Sequence, residues 1–211
     1  LHKLKGHYLD TKHPIIVENL MGIKRKLGVN QKGKKPLLIN DLKLIINVLD
    51  NIKGSIKKRL RDKAILLIGF SGGFRRSELV NIDYEDLEFV NEGVKIFIKK
   101  SKTDQSGEGS IKAIPYFDKE IYCPVKTLKN WLNEQKIKTG KIFNVSDKTI
   151  ALIIKKYSNL AGFDSNKYAG HSLRSGFATS AAEAGAEERS IMNMTGHKST
   201  EMVRRYIKEA N

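Results

Sequence analysis

The sequence predicts a mainly α fold carrying one small three-stranded antiparallel β-sheet, an α+β arrangement. Three observations predict it. Long stretches repeat apolar residues at helical spacing, three short apolar runs cluster between residues 85 and 115, and glycines fall where the helical stretches end.

Taken in order, Pro14 opens a helix over 14–27, with Ile16, Leu20, Ile23 and Leu27 on one face. The stretch from Gly28 to Pro36 is polar, basic and glycine-containing, and reads as a linker. Asn40 or Asp41 then caps a helix in which Leu42, Ile45, Ile46 and Leu49 recur at helical spacing. Ser55 starts another helix, strongly apolar from Ala64 to Phe70, which stops at Gly72-Gly73. A short helix follows over 75–80. Residues 85–89, 94–100 and 110–115 read as strands; Asn91-Glu92-Gly93 supplies the first turn and Asp104–Gly109 a longer, mobile one. Helices resume over 123–135, 147–161, 171–184 and 187–194, and the last runs from about 199. Gly162 and Gly185 stand where helix C-caps are expected. There is no internal repeat and no low-complexity segment.

A chain of 211 residues, 40% apolar and 29% charged, suits one large domain or a domain plus a fragment. No run approaches the roughly 18 apolar residues of a membrane span, and no charged-then-apolar leader precedes a cleavage site, so secretion is unsupported. Cys123, the lone cysteine, cannot form an internal disulfide; a packing role in a reducing, cytoplasmic compartment is expected. The net charge of +16 suits a polyanionic partner, and nucleic acid is the usual one. A merely solubilising basic surface is the plainer reading. Anionic lipid fits less well, because no strongly amphipathic basic helix with aromatic anchors is present. The charge is uneven: residues 1–35 hold nine basic residues against two acids, and Asp83, Glu85, Asp86 and Glu88 gather elsewhere.

Four separated segments carry candidate chemistry: Gly73-Phe74-Arg75-Arg76-Ser77-Glu78-Leu79, Lys99-Lys100-Ser101-Lys102-Thr103-Asp104, His171-Ser172-Leu173-Arg174, and Gly196-His197 followed nine residues later by Tyr206. The third places His171 and Arg174 three apart on one helical face. Singly, each has a plain explanation. An arginine three residues before a glutamate is commonly a weak surface ion pair, Lys102 fits a solvated hairpin lysine, His171 a cap, and Tyr206 a core aromatic beside Met202 and Val203.

Together they match the needs of attack on a phosphodiester. That reaction takes a nucleophile, positive charge for the pentavalent phosphate, and an acid for the leaving oxygen. A tyrosine ester preserves the phosphodiester energy for rejoining. Arg75 and Arg174 can fork onto the non-bridging oxygens and stay charged at any working pH. Lys102 fits the general acid. His171 and His197 can hydrogen-bond the phosphate or manage the tyrosine proton. The set calls for no cofactor and no metal, and no Asp, Glu, His and Cys cluster has convincing ligand spacing.

In this combination the sequence resembles the tyrosine recombinases, or phage-integrase family. The resemblance rests on the arginine box at Arg75, the hairpin lysine Lys102, the H-x-x-R box at His171 and Arg174, and the Gly-His box at His197 leading to Tyr206. The segment from Cys123-Pro124-Val125 to Trp131-Leu132 also looks like a helix of integrase relatives, and the likeness covers about residues 36–211. Phe74 and Thr195 depart from the leucines usual at their positions, and Arg76 beside Arg75 is a second basic residue in the box. The resemblance implies a tyrosine-recombinase catalytic-domain fold with a buttressing, second-sphere role for Glu78. Residues 1–35 then correspond to the last helix of a truncated N-terminal core-binding domain plus a basic linker, and 36–211 to the catalytic domain. Only five residues follow Tyr206, so the longer tail that docks on a neighbouring protomer in many relatives is expected to be missing or cut off.

The implied activity is site-specific recombination (DNA integration) by metal-independent breaking and rejoining of double-stranded DNA through a 3′-phosphotyrosine. The implied assembly is a homotetramer on paired DNA sites at full length, and a monomer for this fragment. A type IB topoisomerase shares the chemistry and is the nearest alternative; a non-catalytic DNA-binding module reading through 187–207 is the other. Lys24, Arg25, Lys34, Lys35, Lys57 and Arg59 are the candidate phosphate contacts, chosen by charge clustering.

Overall fold

The computed structural model describes residues 6, 10–28, 33–99, 109–197, 199–201, 203, 204 and 206. The chain divides into two units, residues 1–33 and 34–211. In the first, helix α1 (Pro14–Leu27) begins with proline in its first turn, where a missing N–H costs nothing. Lys24, Arg25 and Lys26 occupy its last turn, where the partial negative end of the helix favours cations.

The second unit is built around α3 (Ile56–Ser71), which is buried continuously from Ala64 to Ser71 because that stretch is apolar on every side. Ser55 caps it, its Oγ accepting from Lys58 N at 3.3 Å. Helices α2 (Ile39–Asn51), α5 (Pro124–Glu134) and α7 (Ser172–Glu183) pack on α3, α6 (Asp147–Leu160) packs on α2, and α8 (Glu188–Thr195) packs on α7. Leu42, Ile45, Ile46 and Leu49 of α2 enter this core as their spacing predicted. Its N-cap, however, is Leu38 rather than Asn40 or Asp41, and no local side chain caps it. The reason is tertiary: Leu37 N donates to Ser172 O at 2.9 Å, and Ser180 Oγ accepts from Ile39 N at 3.1 Å, so α7 supplies the cap. Cys123 is fully buried, its Sγ accepting from Phe117 N at 3.4 Å.

The sheet runs β1 (Leu87–Val90), β2 (Gly93–Ile98), β3 (Ser110–Pro115), antiparallel throughout. Four boundaries differ from expectation, the first being the end of β1, which runs on to Val90 rather than 89. Tyr84–Asp86 forms a 3₁₀ turn, with Asp86 Oδ2 accepting from Asp83 N at 2.9 Å, so β1 starts at Leu87 rather than 85. Gly93 pairs with Val90, so it belongs to β2, and the turn is Asn91-Glu92 alone. β2 ends at Ile98, because Lys99 is drawn to Asp83 and Asp86. Val94, Ile96, Ile98 and Ile114 face the core, while Phe97 and Ile111 face outward. Gly162 and Gly185 follow α6 and α7 at positive φ. Residues 200, 201, 203, 204 and 206 are helical, in line with the last predicted helix. Among the described residues no helix is long and apolar enough to cross a membrane.

Candidate active site

Gly73 adopts φ +54°, in the left-handed region that glycine enters without penalty, and this turns the chain from α3 into α4 (Arg76–Val80). The turn makes Arg75 the N-cap of α4. Arg75 N donates to Glu78 Oε2 at 2.9 Å, Arg75 Nη1 to Oε1 at 2.5 Å, and Nη2 to Gly196 O at 3.4 Å. The pair is no surface ion pair, since the side chains are 14% and 3% exposed. Burial opposes the charge on Glu78, but hydrogen bonds from Arg75 and the charges of Lys112 and Arg75 outweigh it and hold the carboxyl below its ordinary value. Arg76 points elsewhere, 3.9 Å from Asp147 of α6.

Arg174 lies buried on the core side of α7. Its Nη1 donates to Gly73 O at 2.9 Å, while Nη2 is buried and, among the described residues, has no hydrogen-bond partner. Burial and the neighbouring charge of Arg75 push this guanidinium down to about 10, still charged at neutral pH. His171, three residues earlier, is the exposed N-cap residue of α7.

At the other end of the site α8 stops at Gly196, whose φ of +61° forms a left-handed C-cap and swings His197 back under the helix. His197 is buried, with Nδ1 2.7 Å from Thr195 Oγ1. Burial, then Arg174, Arg75 and Lys112, depress the imidazole to about 4. The Tyr206 ring lies 5.7 Å from that of His197 and tilts 37° to it, resting on the small cluster of Ala178, Ile191 and Val203.

Lys112, in the middle of β3, was not among the residues singled out by sequence, yet it is 4% exposed and sits inside this cluster. Its Nζ donates to Gly72 O at 2.8 Å and to Met194 O, and lies 4.9 Å from the centre of the Phe74 ring. These carbonyls belong to the C-terminal ends of α3 and α8, which lack helical partners and carry partial negative charge. Burial lowers the ammonium to about 8, with Glu78 opposing and the two arginines assisting. The signal that could have revealed it is strand alternation, which puts Lys112 on the same inward face as Ile114.

The structure therefore brings Arg75, Glu78, Arg174, His197 and Tyr206 together with Lys112, three cations against one carboxylate. Lys102 lies outside the described residues. Of the surface candidates, Lys24, Arg25, Lys35 and Lys57 are exposed, and Lys34 Nζ donates to Asn166 O at 2.7 Å. Arg59 is committed: its Nη1 donates to Asp50 O at 3.1 Å and Ile52 O at 2.6 Å, closing the end of α2.

The phage integrase family matches residues 37–211. The chain is 45% identical to an integrase/recombinase xerD homolog of Selenomonas ruminantium, over 98% of this chain and 63% of that protein. It is 32% identical to the tyrosine recombinase XerA of Pyrococcus horikoshii, over 82% of this chain and 56% of that one. It thus spans less than two thirds of these curated relatives. Among solved structures, XerH bound to a palindromic difH substrate in a post-cleavage complex is similar with TM-score 0.72 at 22% identity, covering 87% of this chain and 53% of XerH. The XerA recombinase structure is similar with TM-score 0.65 at 21% identity, covering 96% and 73%. The mainly helical fold with its three-stranded sheet is the fold of these recombinases, and the chain belongs to the phage integrase family.

Proposed function

We propose that this chain carries the catalytic part of a site-specific DNA recombinase of integrase type, which cleaves and rejoins double-stranded DNA through a 3′-phosphotyrosine. The observation that carries the reading is the buried Nη2 of Arg174, unpartnered among the described residues, beside Arg75 and Lys112. An unpaired polar group costs on the order of 1–3 kcal/mol when buried, and an anion is the ligand that removes this cost. Two guanidiniums then share the non-bridging oxygens of a phosphodiester.

Tyr206 Oη attacks phosphorus and forms the Oη–P bond while the P–O5′ bond breaks. The tyrosine proton passes to a neighbouring base, and Lys102 protonates the 5′ oxygen. Arg75, Arg174, His171 and His197 stabilise the pentavalent transition state, and Glu78 holds Arg75 in place.

Residues 1–35 act as the last helix and linker of a preceding DNA-clamping domain, and 36–211 as the catalytic domain; the family match from residue 37 supports that boundary. Lys24, Arg25, Lys34, Lys35 and Lys57 contact phosphates in the cytoplasmic, DNA-bound assembly, a homotetramer on paired sites. Arg59 is not among these contacts, because its guanidinium is engaged in closing the end of α2.

The test is covalent trapping on nicked DNA in the presence of EDTA, with the linked peptide identified by mass spectrometry. Wild type gives an adduct on Tyr206, and Tyr206→Phe gives none while keeping its DNA affinity. Cleavage that survives in Tyr206→Phe would overturn the reading. Strand exchange between defined sites, as against repeated relaxation of any supercoiled DNA, separates the recombinase from a topoisomerase.

A further inference from the structure

Arg76 is the second arginine of the first motif, and it does not join the cluster around Arg174. Its side chain, 34% exposed, leaves the start of α4 and runs across Gly170 to within 3.9 Å of Asp147, the first residue of α6. Gly170 is buried, and a methyl group on it would overlap Cγ, Cδ and Nε of Arg76. The φ of Gly170 lies outside the left-handed region, so glycine stands there for room and not for backbone conformation. What the arginine stem covers is the turn that opens α7. Ala169 N donates to Ser172 Oγ at 2.9 Å and Ser172 N to Ala169 O at 2.9 Å, with Gly170 and His171 between them. His171 is exposed, while Arg174 on the same helical face is anchored to Gly73 O at 2.9 Å. The segment 73–76 therefore grips the start of α7 twice, through Gly73 on Arg174 and through Arg76 on Gly170.

We infer that Arg76 is a positioning residue for His171: its aliphatic stem packs on Gly170 and fixes the turn from which His171 reaches the scissile phosphate. This rests on the reading of His171 as a phosphate contact in DNA cleavage. Arg75 and Arg76 then divide the work, one turned to the phosphate and the other to the turn that presents the histidine.

The stem, not the charge, supplies the hold. An ion pair 3.9 Å long is too distant for a hydrogen bond, and with side chains 34% and 52% exposed it contributes little. An arginine stem laid on backbone packs like an apolar side chain and keeps water off the peptides beneath it. Removing it would uncover a glycine turn that has no side chain of its own to fill the gap.

The test compares Arg76→Met, which keeps a stem without its charge, with Arg76→Ala, Gly170→Ala and the double variant Arg76→Ala/Gly170→Ala. In single-turnover cleavage at saturating nicked DNA, Gly170→Ala should slow the reaction roughly 10- to 100-fold with DNA affinity unchanged, because it displaces the turn by the width of a methyl group. Arg76→Ala should slow it about 3- to 10-fold, and Arg76→Met should stay within about 2-fold of wild type. The double variant should cleave faster than Gly170→Ala alone, since the methyl group then fills the space the stem has left. In a His171→Ala background, Arg76→Ala should cost nothing further, an outcome that a general loss of stability would not give. Defects that multiply in the double variant, or an Arg76→Ala effect undiminished without His171, overturn the inference. So does weakened DNA binding by Arg76→Met, which would make Arg76 a phosphate ligand. The His171 ring signals in ¹H–¹³C NMR of the DNA-free protein, identified by their loss in His171→Gln, should move in Gly170→Ala and return in the double variant. Unmoved signals overturn the inference without any reaction, whereas absence of a Tyr206 adduct in wild type sinks the recombinase reading alone.

Discussion

Lys99, just beyond β2, and Lys112, within β3, are lysines in opposite circumstances. Lys99 is half exposed, 2.7 Å from Asp83 and 2.9 Å from Asp86, and these carboxylates raise its pKa. Lys141 joins the same group, 3.0 Å from Asp83. Lys112 is buried, held by two helix-end carbonyls, and depressed to about 8 among two arginines and one carboxylate. The contrast teaches how a fold keeps positive charge available. A cation paired with carboxylates is neutralised where it stands. A cation held by neutral dipoles keeps its field for an incoming anion, at the cost of burying it.

Three measurements press on that comparison. The largest effect belongs to Lys112→Met, which strands Gly72 O and Met194 O and loosens the two helix ends that carry Arg75 and His197. Losing the partner of two buried carbonyls at about 1–2 kcal/mol each should cost about 2–4 kcal/mol, a fall in Tm of roughly 5–15 °C. Cleavage should fall with it. A melting curve superimposable on wild type would mean the carbonyls do not hold the ammonium.

The second concerns acid. His197 titrates near 4 in the folded chain against 6.5 unfolded, so the unfolded state takes up the proton first as pH falls. Stability is complete above pH 6.5 and declines towards pH 4, by up to about 1.4 kcal/mol per pH unit from this one group. Glu78 loses its own contribution in the same direction, but below its ordinary value of 4.5. Denaturant unfolding between pH 4.5 and 6.5 should therefore show a steeper slope for wild type than for His197→Gln. Parallel slopes would contradict the cation-crowded setting of the ring.

The smallest effect is expected from Lys99→Ala. Exposed pairs gain little and are screened by salt, so its melting temperature and cleavage rate should stay close to wild type at physiological salt. A large loss of stability would erase the distinction between the two lysines.

Much of the fold was legible because apolar spacing alone decides which helix faces enter a core, as α2 and α3 show. What escaped was tertiary. Ser180, 141 positions away, caps the start of α2 and overrides the local candidates Asn40 and Asp41. Asp83 and Asp86 hydrogen-bond their own turn and delay β1. The site motifs were readable because each pairs a functional side chain with the turn that aims it, Gly73 with Arg75 and Gly196 with His197. Lys112 was not, since Ile111 and Ala113 on either side make the opposite strand phase look equally apolar. The departure at Thr195 was visible in sequence, but its bond to a residue two places on exists only because Gly196 reverses the chain between them.

That inward lysine has a consequence for solubility. β3 is an edge of its sheet, and outward from it Ile111 and Phe97 are 63% and 41% exposed on paired positions. An open edge flanked by apolar side chains is a template on which another strand can add, the first step of aggregation. A charge pointing inward from the middle of such a strand guards against it. Any register that stacked β3 into a foreign sheet would drag the ammonium of Lys112 away from its two carbonyls and bury it with nothing to bind.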